Sequence, residues 1–140
     1  MHTPQRPRLA WSARLTVLLA AVLSLTGVIG IAPVTPVSAS VFNSCTISRC
    51  ADARAADAIW AGAGYPTSRG WYTWPDGRFN FAGGQFFNRE GQLPGGATYF
   101  EYDVYSRDLE GPRDAFRIVV NRSTGVTWFS PNHYTDFHRL

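Results

Sequence analysis

Apolar and polar residues alternate with period two through most of the second half of the chain. In "TYFEYDVYS", Thr98 to Ser106, one face carries Phe100, Tyr102 and Val104, and the other carries Tyr99, Glu101, Asp103 and Tyr105. In "AFRIVVN", Ala115 to Asn121, Phe116, Ile118 and Val120 are apolar on one side and Arg117 lies on the other. "RSTG" at Arg122 to Gly125 has turn chemistry, the run from Val126 to Ser130 reads as a further strand, and a last short strand is expected over His133 to Phe137. The first half differs. Asp52 to Ala61 is alanine-rich with an acidic first turn and is stopped by Gly62 and Gly64, so it predicts a helix seated through Ile59 and Trp60. Tyr65 to Gly84, rich in Gly, Pro and aromatics, reads as irregular chain. The fold class is therefore α+β, with one N-terminal helix packed on a small antiparallel β-sheet.

The N-terminus changes this picture. Arg6, Arg8 and Arg14 precede an apolar run from Leu15 to Ala32, and Val37-Ser38-Ala39 offers small residues for cleavage. That order predicts a signal peptide, 1–39, that is removed, leaving residues 40–140 as a single domain of a secreted, extracellular protein with no membrane segment in its mature form. The run is also long enough for an uncleaved anchor, a reading weakened by Thr16, Ser24, Thr26 and two glycines. All basic residues are arginine, and three of them fall in the leader, so residues 40–140 hold ten arginines against ten acidic residues. Bulk charge then gives no reason to expect a polyanion partner, and any such site must come from local clustering. Cys45 and Cys50 are the only cysteines, and in an exported chain they are expected to form a local disulfide worth ~2 kcal/mol.

If the apolar faces of the strands lie on the helix, Glu101 and Arg117 both point to the open face. The plain reading of that pair is a cross-strand ion pair of little energetic weight. Asp103, Asp108, Glu110 and Asp114 read as solvated charges, and His138 as exposed near the terminus. Two histidines, His133 and His138, do not make a metal site, so neither a metal nor a cofactor is expected. Asn121-Arg122-Ser123 fits a glycosylation sequon but is better explained as part of a turn. Trp71, Trp74, Phe79 and Phe81 form either a stacking platform for nucleotides or a satellite core beneath a long loop.

The polar residues of the second half nevertheless fall into four short motifs: "FFNREGQLPG", "FEYDV", "RDAFRI" and "HYTDF". In this order and with these gaps they resemble the secreted guanyl-preferring bacterial ribonucleases, the barnase-like microbial ribonucleases, over about Gly83 to Phe137. The resemblance implies the microbial ribonuclease fold. It also implies Glu101 as catalytic base, His133 as catalytic acid, and Arg113 and Arg117 as the groups that hold the phosphate. It makes Phe87, Asn88, Arg89 and Glu90 the base-recognition loop, with Tyr134 able to add a ring.

The chemistry agrees with that resemblance. The 2′-hydroxyl of RNA can attack the adjacent phosphorus if one group takes its proton and another protonates the departing 5′-oxygen. Guanidiniums stabilise the charge that gathers on the phosphate. Guanine presents N1–H and N2–H donors that the Glu90 carboxylate can accept, whereas adenine presents the opposite pattern. The expected activity is endonucleolytic cleavage of single-stranded RNA 3′ to guanosine through a 2′,3′-cyclic phosphate, which is then hydrolysed. The expected enzyme is a monomer, with a small acidic protein as a possible inhibitory partner. It would serve either RNA degradation or toxicity to other cells. Phe87 departs from the small or polar residue common at its position. The phosphate-site lysine of some family members has no counterpart here, with Arg54 as the one substitute on the helix. The rival from another class is a non-catalytic, aromatic-rich binding module for carbohydrate or nucleic acid.

Overall fold

The computed structural model describes residues 40–140, so the expected leader, 1–39, lies outside the described residues. Its elements run β1 (Ser40–Phe42), α1 (Cys50–Gly62), β2 (Gly70–Thr73), β3 (Phe79–Phe86), β4 (Tyr99–Asp103), β5 (Arg117–Asn121), β6 (Thr127–Ser130) and β7 (Asp136–Arg139). The strands form one seven-stranded sheet in the order β1-β7-β6-β5-β4-β3-β2. The domain is α+β with one helix, as the periodicity predicts. The sheet is larger than expected and mixed, because β1 runs parallel to β7.

Helix α1 begins two residues before the predicted start, pinned by the Cys45–Cys50 disulfide, whose residues both sit in the core. Its end is closed by left-handed Gly64 and by a bond from the Tyr65 N–H to the Trp60 carbonyl at 2.9 Å. The stretch expected to be irregular contains the β2–β3 hairpin, with Trp71 opposite Phe81. Period-two reading misses β3 because Ala82-Gly83-Gly84 breaks the alternation where the pairing with β4 shifts register.

Two cores flank the sheet. Ala53, Ala56 and Trp60 of the helix pack on Tyr102, Val104, Ile118, Val120 and Phe129. The opposite face, expected to be open, carries a second cluster of Leu93, Tyr99, Val119, Trp128 and Phe137. His138, expected to be exposed, is buried and stacks on Phe42 with ring centroids 4.5 Å apart. Within the tryptophan-rich segment, Tyr72 and Trp74 are partly buried against the helix-side core, with Trp74 4.7 Å from Trp60. Asn121 is buried, and its Oδ1 accepts from the N–H groups of Ser123 and Thr124 at 2.9 and 3.2 Å, so the sequon is an Asx turn. Among the described residues no helix is long and apolar enough to cross a membrane.

Candidate active site

Alternation along β4 turns Glu101 and Asp103 to the face away from the helix, and alternation along β5 does the same for Arg117. The register then decides who meets whom. Glu101 lies across from Val119, and Asp103 lies across from Arg117. The expected Glu101–Arg117 pair is therefore replaced by Asp103–Arg117, with Arg117 Nη1 at 3.3 Å from Asp103 Oδ1.

Asp103, expected to be a solvated charge, is fully buried and is the hub of the site. Arg113 donates to it through Nε at 2.9 Å, and Arg107 Nη2 stands 3.2 Å from its Oδ2. Three guanidiniums around one carboxylate compensate its desolvation, which an isolated buried charge could not survive. Asp114 joins the same network through Arg107 and Arg117, whereas Asp108 and Glu110 are exposed as expected. Arg113 also reaches the second carboxylate, with Nη2 at 3.5 Å from Glu101 Oε1. Burial pulls the Arg113 pKa down, but the bonds and charges of Asp103 and Glu101 more than offset it, so the net shift is upward. For Arg117 burial dominates and lowers the pKa despite Asp103. Its buried Nε has no hydrogen-bond partner among the described residues.

Two glycines on β3 make room for Glu101. The β3–β4 pairing shifts register between Ala82 and Gly84, with Gly83 at φ 82°. A Cβ on Gly83 would sit 2.2 Å from the Ser68 carbonyl oxygen, and one on Gly84 would sit 2.9 Å from Glu101 Oε1. A side chain at Gly83 would have to displace the Ser68 backbone, and one at Gly84 the Glu101 carboxylate.

His133 sits in the turn between β6 and β7, not in a strand as expected. His133 and Tyr134 both adopt left-handed backbone, at φ 54° and 73°. For residues with a Cβ such geometry costs on the order of 1–3 kcal/mol each and persists only when its surroundings impose it. Here the His133 N–H donates to the Ala115 carbonyl at 3.0 Å and the Tyr134 N–H donates to Ser130 Oγ at 2.7 Å. Asn132 and Asp136 close the turn on itself through side-chain bonds at 2.8 and 2.9 Å. The Tyr134 hydroxyl donates to Glu101 Oε2, and its ring lies 4.6 Å from the exposed His133 ring. One tyrosine thus spans the space between carboxylate and imidazole.

The loop expected to recognise the base follows β3 directly. Asn88, at φ 48°, donates through Nδ2 to the Leu93 carbonyl at 2.8 Å and accepts the Leu93 N–H at 3.0 Å. The side chain therefore holds the loop closed. Arg89 and Glu90 are exposed. Phe87 is 62 % exposed, and the Arg89 guanidinium lies 5.3 Å from its ring centroid, at the mouth of the loop. Phe86, not singled out from sequence, packs its ring 5.0 Å from that of Tyr134 and so joins the loop to the histidine turn. Arg54 donates to the Cys45 carbonyl at 2.9 Å, so its guanidinium is engaged at the disulfide and not at this cluster. Asp103, Gly84, Ser130 and Phe86 were not singled out as site residues, because each acts through a tertiary neighbour that the sequence does not reveal.

A small α+β domain that gathers a carboxylate, a guanidinium cluster and a histidine on one sheet face is equipped for acid–base chemistry on an anionic ester. In agreement, the ribonuclease family model matches residues 38–140, and the chain belongs to the ribonuclease family. RNA is thereby its substrate. No curated protein matches the chain.

Proposed function

We propose that the domain cleaves single-stranded RNA 3′ to guanosine by transesterification to a 2′,3′-cyclic phosphate, followed by hydrolysis, and that it does so as a secreted monomer. Glu101 takes the 2′-hydroxyl proton, His133 protonates the leaving 5′-oxygen, and Arg113 and Arg117 neutralise charge on the phosphate oxygens. The observation that carries this reading is the continuous contact from Arg113 through Glu101 and Tyr134 to His133. It supplies a base, an acid and a cation around one opening. In the second step the roles of Glu101 and His133 reverse.

Guanine is recognised by the Asn88–Glu90 loop, with the Glu90 carboxylate accepting from N1–H and N2–H and backbone N–H groups donating to O6. Support comes from the closed Asn88–Leu93 bonds and from the exposure of Glu90. The first step requires ionised Glu101 and protonated His133, so the rate follows a bell-shaped pH profile on the acidic-to-neutral side.

The test is digestion of a short RNA with one guanine by the protein starting at Ser40, in EDTA. Cleavage 3′ to the guanine, with a cyclic phosphate end and a loss of at least ~100-fold in His133→Ala, is the expected result. Absence of cleavage by folded wild type overturns the assignment. Glu90→Ala should lower the preference for guanine over adenine, and an equal loss on every sequence would remove Glu90 from the base site.

A further inference from the structure

The sheet face that carries Glu101 continues past it, away from the recognition loop, to the edge of the sheet. Phe81 lies on that face, three residues before Gly84, and its neighbour on the edge strand is Trp71, with ring centroids 5.2 Å apart. The Phe81 ring is nearly covered, at 9 % exposure. Two guanidiniums lie against it: that of Arg113 at 4.3 Å from the centroid and that of Arg69 at 4.9 Å. Arg113 is compensated by Asp103 and Glu101. Arg69, exposed and immediately before β2, has no acidic partner among the described residues. One ring therefore holds a second, uncompensated cation beside the first. Such an arrangement is favourable when an anion is shared between the two guanidiniums or seated next to them.

We infer that Arg69 and Trp71 form a subsite for the nucleotide 5′ to the cleaved guanosine, with Arg69 on the backbone phosphate and the partly exposed Trp71 as a surface for the base. The inference rests on the assignment of Glu101 and His133 above. In-line displacement puts the base and the acid on opposite sides of the phosphorus. The leaving nucleoside must depart on the side of His133, whose backbone is bonded to Ala115 at the start of β5. Arg69, Trp71 and Phe81 lie on the other flank, on β2 and β3, so they meet the strand that enters the site. A guanidinium on the phosphate and an aromatic face on the base are the two elements by which single strands are gripped without sequence preference.

The test compares kcat/KM for GpC, UpGpC and GpCpU in wild type, Arg69→Ala and Trp71→Ala. Wild type should favour UpGpC over GpC by roughly tenfold, and either substitution should erase most of that gain. Arg69→Ala should also flatten the log–log salt dependence on UpGpC by about 0.7, the value for one phosphate contact on a single strand. An equal UpGpC/GpC ratio in wild type and Arg69→Ala overturns the subsite, as does a loss confined to GpCpU. Failure of wild type to cleave any of the three would instead strike the catalytic assignment. Circular dichroism and thermal melts of both variants check that the hairpin is intact. Arg69→Lys, which keeps the charge and loses the planar stack, should retain part of the gain, and a complete loss would count against the phosphate contact.

Discussion

Gly84 and Glu101 face each other across β3 and β4, and the absence of a side chain at Gly84 is what lets the Glu101 carboxylate lie over the sheet. A Cβ there would stand 2.9 Å from Oε1 and 3.1 Å from Cγ. Gly84→Ala therefore pushes the carboxylate rather than the backbone. With Glu101 as the base, kcat should fall by about a hundredfold, the scale of a misplacement of one ångström. Stability should change by no more than about 1 kcal/mol, because Gly84 is not in left-handed backbone. Steady-state kinetics together with a melting curve decide it, and an unchanged kcat would show that Glu101 does not need this position.

Asp103 is surrounded by Arg107, Arg113 and Arg117 and is itself fully buried. Asp103→Asn keeps the shape and removes the only fully buried negative charge at the centre. Unfolding in urea should show a loss of about 3–5 kcal/mol, as when one partner of a buried ion pair is deleted. A loss below about 1 kcal/mol would mean that Glu101 and Asp114 can compensate the arginines alone.

Asp57 gives a pH prediction with a definite sign. Burial raises its pKa above 3.8, only partly countered by hydrogen bonds from Tyr65 and Thr127. The folded state therefore holds this proton more tightly than the unfolded chain. The associated stability is fully present below the unfolded pKa and is lost as pH rises through the raised folded value. Asp57→Asn should be more stable than wild type near neutral pH, with the advantage shrinking toward pH 3. Its oxygen can still accept from Tyr65 and its amide can donate to Thr127. Urea titrations at several pH values test this, and an advantage that grows on acidification would reverse the sign.

Asn88→Ala removes both bonds to Leu93 and places alanine at φ 48°. A loss of about 1–3 kcal/mol is expected, together with a weaker guanine preference. A competition assay between guanine- and adenine-containing RNAs reads the second effect. Unchanged selectivity would mean that the loop keeps its shape without this side chain.

Reduction of Cys45–Cys50 should lower stability by ~2 kcal/mol, the value for a short loop, and should leave kcat unchanged below the melting temperature. A loss of activity at a temperature where the reduced protein remains folded would tie the disulfide to the site.

The helix was legible because alanine content and two terminal glycines act locally, and β4 to β6 were legible because one face of each is apolar. Strand β3 was not, since Ala82, Gly83 and Gly84 interrupt its alternation where the pairing shifts register. The fate of the charges was least legible. Asp103 and Asp108 look alike in sequence, yet one is buried as the hub of three arginines and the other is exposed. His138, read as exposed, is buried in β7, and His133, read as opening a strand, lies in a left-handed turn, because β7 starts only at Asp136.

By itself the sequence determined the α+β class, the single helix and the ribonuclease family, because these depend on local propensity and on motif order. Tertiary structure decided which carboxylate the arginines serve, how Tyr134 links Glu101 to His133, and why Gly84 must be glycine. The physical reason is register. Shifting one strand by a single residue would turn every side chain to the other face, and only hydrogen-bonded pairing across the sheet fixes that choice.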